Sequence, residues 1–108
     1  KQFDNDIKKM SVEIKKSGKK FDGVWGPARG GLVPAVMLSH ALALPFLNEP
    51  TRKTLIVDDI ADTGKTLKKF YKKNFIATFY YHKQSIVIPN IWLREKKDQW
   101  IVFPWERR

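Results

Sequence analysis

Three aspartates and a small glycine turn share one stretch of the chain, Thr54 to Leu67, TLIVDDIADTGKTL. Asp58 and Asp59 end an apolar run, Asp62 follows, and Thr63-Gly64-Lys65-Thr66 closes the segment. Those last letters match the end of a Walker A loop, but that motif also needs a glycine five positions before Gly64. Asp59 stands there instead. Carboxylates among amides meant to wrap a triphosphate would repel it, so the Walker reading fails. What remains is a divided site. A tight turn opening a helix, with its N–H groups and the hydroxyls of Thr63 and Thr66, suits a monophosphate. The acids just before it suit hydroxyl groups or a hard divalent cation. A sugar phosphate with free hydroxyls, accompanied by Mg²⁺, satisfies both halves.

The elements that must hold these residues read as α/β. Phe3, Ile7, Met10 and Ile14 recur on one helical stripe running up to Gly18, which marks a C-terminal cap. FDGVWG is a short strand ending at glycine. Residues 30–44, GGLVPAVMLSHALAL, read as a second helix, with Pro34 tolerable only in the first turn. Leu55, Ile56 and Val57 form the continuous apolar run of a central parallel strand covered on both faces. GKTLKKFYKK is expected to be helical with Leu67, Phe70 and Tyr71 turned inward, and FIATFYY (75–81) is the next strand. The rest, with Pro89 and Pro104, reads as short strands and loops. The expected fold is a single domain over 1–108, a three-layer doubly wound α/β sheet, mostly parallel. Ligands of such sheets bind at the carboxyl ends of the strands, where GPARGG and DDIADTGKT both fall.

Composition bounds the function. A chain of 108 residues with 43% hydrophobic and 30% charged residues fits one soluble core. No apolar run reaches the ~18–20 residues of a membrane span, and the opening KQFDNDIKKM has no secretory signal pattern. Without cysteine there are no disulfides and no thiolate zinc sites, and a reducing cytoplasm is the expected compartment. The net charge of +10 leaves two partner classes open, nucleic acid or a polyanionic small molecule. Sixteen of the 21 cations are Lys, most of them placed as solvated helix faces. No motif that reads RNA or DNA accompanies them, so nucleic acid is not the expected partner.

The 54–67 stretch strongly resembles the 5-phosphoribosyl diphosphate (PRPP) motif of the type I phosphoribosyltransferases: a hydrophobic strand, two acids, then D-T-G-x-T. The resemblance implies that Asp58 and Asp59 bind the ribose hydroxyls directly or through Mg²⁺, and so are the candidate metal ligands. It implies that Asp62, Thr63, Gly64, Lys65 and Thr66 hold the 5′-phosphate, and that Asp62 lies beside N7 of the base as the catalytic proton acceptor. VWGPARGGLVPAVMLSHAL resembles the family's first-strand loop, where Arg29, Gly30 and Gly31 would meet the pyrophosphate. The ending WIVFPWERR resembles the purine branch, especially xanthine-guanine and related 6-oxopurine enzymes, with a small C-terminal hood over the base. There Trp100 would stack on the purine, the backbone near Ile101 would read its edge, and Lys83 would donate to the 6-oxo group. Phe103 and Trp105 read as core. The activity implied is salvage of a 6-oxopurine to its nucleoside 5′-monophosphate with release of pyrophosphate, in a homo-oligomer, dimer or tetramer.

One departure stands out. Family members carry another strand and a flexible lid between the second helix and the PRPP strand, whereas here only PFLNEPTRK (45–53) intervenes. Arg52 or Lys53 could then stand in for lid contacts. Two other readings stay open: a catalytically weak PRPP-binding regulator, and a transferase for another base.

Overall fold

The computed structural model describes residues 2–27 and 30–95. Helix α1 (Gln2–Lys16) forms as its apolar spacing predicts, with Asp4 in its first turn and Lys15 and Lys16 in its last, charges that complement the helix dipole. Ile7, Met10 and Ile14 are buried on one face, and Phe3 packs beside them. Each such side chain contributes about 1.5–3 kcal/mol of burial. Strand β1 (Val24–Trp25) is followed by α2 (Leu32–Leu42). Pro34 is the third residue of α2, where a missing N–H costs no helical bond. Next come β2 (Leu55–Ala61), β3 (Ile76–Tyr81) and β4 (Ile91–Glu95).

The four strands are all parallel in the order β1-β2-β3-β4. Beyond β1, Phe46 makes a parallel bridge to Val24, with the Val24 N–H donating to Pro45 and the Leu47 N–H donating to Val24. From β1 the chain therefore steps outward to residue 46, then back across to β2. That reversal is the switch point of a doubly wound sheet, and it lies between β1 and β2. Among the described residues, a single bridge at Phe46 flanks β1 on that side.

One face of the sheet packs against α1 and α2, joining Met10 and Leu38 to Val24, Leu55, Val57, Ala77 and Phe79. The other face holds Ile56, Ala61 and Ile76 under Leu67, Phe70 and Val87 from the connections after β2 and β3. The first of these connections corrects the expected helix over GKTLKKFYKK. Only a 3-10 turn at Lys68–Phe70 forms, Tyr71 is extended, and Lys72 has φ 65. An α-helix here would stack Lys65 on Lys69, Lys68 on Lys72 and Lys69 on Lys73. Like charges at that spacing each cost about 0.2–0.5 kcal/mol, in a segment already near the length where helices are marginal. Leu67 and Phe70 nonetheless turn inward as expected, and Tyr71 is half-buried. The Asn74 side-chain amide, donating to the Thr51 and Thr54 carbonyls at 2.8 and 2.9 Å, then leads the chain into β3.

The first helix is tied to the last of these strands. Arg94 on β4 clasps Asp6 on α1 through two bonds, 2.6 and 2.9 Å long. Among the described residues, no helix is long and apolar enough to cross a membrane.

Candidate functional site

Asp58 and Asp59 lie in the carboxyl half of β2, at the switch point. Both are buried, at 6% and 7% exposure. The Asp59 N–H donates to Asp58 Oδ1 and the Ile60 N–H to Asp59 Oδ1, each at 2.8 Å. Removal from water pushes the Asp58 carboxyl up to about 9, helped by the hydrogen bond and the negative charge of Asp59, against the pull of the Asp59 amide. Without a ligand, the pair thus carries a retained proton at neutral pH. A cation or a set of hydroxyl donors would relieve that energetic conflict.

Gly30 lies directly against this pair. A Cβ at that position would fall 2.5 Å from Asp59 Oδ2, so only glycine lets the loop after β1 approach the carboxylate. Gly31 sits behind it, buried, its N–H donating to Pro27 at the start of α2.

The turn after β2 closes the opposite wall. Gly64 has φ 88, and a side chain there would collide with Ser85 Oγ at 2.7 Å and the Val87 amide at 2.8 Å. The Ile86 N–H donates to the Thr63 carbonyl at 2.9 Å, and the Lys65 amide donates to Thr63 Oγ1 at 3.3 Å. The 85–87 segment thereby holds the 63–65 main chain in place. Because no α-helix follows, the anion-binding capacity of this turn rests on its own amides and hydroxyls and not on a helix dipole.

These parts enclose one cavity of about 280 Å³, lined by Pro27, Gly30, Asp58, Asp59 and the turn from Asp62 to Leu67. The aspartates and the glycine turn, neighbours in the sequence, face one another across it. Asp62 is half-buried, and Gln84 Nε2 donates to its Oδ1 at 3.1 Å. Gln84 gives no signal in the sequence. Its position follows from β2–β3 pairing, in which Ala61 faces Tyr81 and the His82 N–H donates to Ala61, so the two following loops meet.

Other expected residues are not gathered here. Lys83 is exposed and does not line the cavity. Arg29, Trp100 and Ile101 lie outside the described residues, as do Phe103, Trp105 and the whole expected hood. Arg52 and Lys53 cannot replace a lid. They precede the amino end of β2, and at ~3.3 Å per residue Lys53 is about 20 Å along the strand from Asp59. Among the described residues no group of three or more acids and histidines could hold a metal by itself. Two carboxylates fit Mg²⁺, which keeps water and substrate phosphates as its remaining ligands.

A parallel sheet with paired acids and a glycine turn at its switch point defines a protein of the doubly wound α/β class, in which ligands bind at that crevice. No family model matches the chain. The crystal structure of a purine phosphoribosyltransferase from Pyrococcus horikoshii Ot3 shares 32% identity with a TM-score of 0.80, covering 99% of this chain and 90% of that one. A xanthine-guanine phosphoribosyltransferase of Nitratidesulfovibrio vulgaris is 27% identical over 132 residues, covering 97% of this chain and 80% of the relative. That span exceeds the 108 residues here, so the relative carries additional residues within it. The fold alone is shared with a Helicobacter pylori xanthine-guanine-hypoxanthine phosphoribosyltransferase, at 16% identity and TM-score 0.74, covering 90% and 84% of the two chains. The chain belongs to the type I phosphoribosyltransferase family, in its purine branch.

Proposed function

We propose that the chain transfers the 5-phosphoribosyl group of PRPP to N9 of a 6-oxopurine, yielding the nucleoside 5′-monophosphate and pyrophosphate in cytoplasmic purine salvage. The observation that carries this reading is the single cavity in which two buried aspartates face Gly30 and the Asp62–Thr66 turn. The 5′-phosphate rests on the 63–66 amides, the Thr63 and Thr66 hydroxyls and Lys65. Asp58 and Asp59 accept the ribose hydroxyls, and Gly30 and Gly31 leave room for pyrophosphate, with Arg29 as its cationic partner. Asp58 and Asp59 would hold Mg²⁺, which would supply positive charge to the pyrophosphate.

As the bond to pyrophosphate loosens, positive charge develops on the sugar, and the paired carboxylates beside it stabilise that charge. Asp62 takes the proton released from the base as N9 attacks, and Gln84 fixes the carboxylate for that task. Lys83 and the Trp100–Ile101 segment complete the base site, with Lys83 donating to the 6-oxo group and Trp100 stacking on the ring. The functional unit in this proposal is a homo-oligomer.

Mass-spectrometric turnover with PRPP and a panel of bases tests the reading, with product expected from guanine, xanthine or hypoxanthine. Asp62→Asn is expected to lower kcat by about 10²–10⁴ with little change in PRPP affinity. Unchanged turnover removes Asp62 from the mechanism. A PRPP-binding regulator is the second reading, favoured by the short 45–53 link, none of which lines the cavity. Nucleotide from no base at all would select it.

A further inference from the structure

Among the described residues lining the cavity just described, three aspartates face one cation, Lys65. Six of the 21 cations line a cleft at the other end of the sheet. This cleft of about 360 Å³ opens beside the amino ends of β2 and β3, lined by Lys19, Lys20, Arg52, Lys53, Lys72 and Lys73. Phe21, Tyr71 and Phe75 form an apolar wall in it, and no carboxylate is among its described lining residues. Three separate segments deliver these cations, each leading into or out of a regular element.

The segments are locked together. Asn74 bonds the Thr51 and Thr54 carbonyls, and the Thr54 hydroxyl donates to Asp22 at 2.8 Å, joined there by Thr51. Asp22, the nearby acid, is thus engaged by hydroxyls and stands outside the lining. Lys72 is held in the left-handed region at φ 65, uncommon for a residue with a side chain, and its ammonium lies 5.6 Å from the Tyr71 ring centre. Phe21 meets Phe75 edge-on with ring centres 5.6 Å apart. Six like charges round one small cleft favour the entry of an anion.

We propose that this cleft binds a nucleoside di- or triphosphate, its phosphates on the lysines and Arg52 and its base against the Phe21–Tyr71–Phe75 wall. Cationic donors suit the phosphates, a cleft of this volume lies within the ~300–1,000 Å³ of small-molecule sites, and aromatic faces accept any base. The site is separate from the reaction cavity, with the length of β2 between them, and it does not depend on the transfer reaction.

Isothermal titration of the whole chain with ATP, tripolyphosphate and a short oligouridylate tests this, with and without saturating PRPP. ATP is expected to bind with PRPP present, more tightly than tripolyphosphate, and to weaken linearly with the logarithm of salt. Arg52→Gln/Lys72→Gln/Lys73→Gln is expected to weaken ATP binding by at least about tenfold, whereas Asp62→Asn leaves it within about twofold. Should the triple variant not fold, hydrogen exchange on the unaltered protein serves instead, and ATP is expected to protect residues 52–54 and 71–75. The proposal is overturned by displacement of ATP by PRPP, by equal affinity in the folded triple variant, by no protection of those segments, or by oligouridylate binding there more tightly than ATP.

Discussion

Replacing Asp58 with Asn is expected to stabilise the ligand-free protein while abolishing transfer. Burial and Asp59 raise the Asp58 carboxyl from 3.8 to about 9, so the native state binds a proton that the unfolded chain releases. The sign follows from linkage: stability from this group is fully present below 3.8 and is lost as pH rises through about 9. Between 3.8 and pH 7 lie about three pH units at ~1.4 kcal/mol each, so retaining the proton costs the native state up to about 4 kcal/mol at pH 7. Asn presents the same oxygen to the Asp59 N–H and a permanent donor to the Asp59 carboxylate, without taking up a proton. With relaxation of the buried pair halving the figure, a gain of about 2 kcal/mol corresponds to a Tm increase of roughly 10 °C for a domain of this size. Thermal melts of both proteins from pH 4 to 9, with chelator present, read the difference. It is expected to be near zero at pH 4 and to widen steadily with pH. A difference independent of pH, or a variant less stable at pH 8, refutes the reasoning that burial keeps Asp58 protonated.

Other perturbations probe the frame around the site. Gly64→Ala forces a side chain onto φ 88 and into Ser85 and is expected to cost about 1–3 kcal/mol in chemical denaturation, with weaker PRPP binding by titration. Arg94→Ala leaves the buried Asp6 carboxylate without its clasp, and urea melts are expected to show a loss of about 2–4 kcal/mol. Thr78→Val removes a fully buried hydroxyl whose oxygen has no hydrogen-bond partner, so a stability gain of up to ~2 kcal/mol is expected from the same melts.

Much of this was legible in the residues because local pattern and tertiary demand agree. The Phe3–Ile7–Met10–Ile14 stripe and the Leu55–Val57 run each have one way to be buried, and the structure buries them so. D-D-x-x-D-T-G is likewise a local motif, whose acids and turn are close because few residues separate them. The failures are non-local or electrostatic. Leu67, Phe70 and Tyr71 carry helical spacing, but stacked lysines oppose the helix they imply. Gln84 reaches Asp62 only through the pairing of two strands. Arg52 and Lys53 look close to the acids in sequence, yet an extended strand carries them to the far end of the sheet.

The clasp between Arg94 and Asp6 spans 88 positions, and its acidic half is made first. On the ribosome, Asp6 therefore emerges long before its partner, and a nascent chain stopped short of β4 must keep that carboxylate wet. The first helix gains its full set of contacts with the sheet only after β4 has been made. This favours late, concerted docking of a preformed helix over stepwise growth from the amino end.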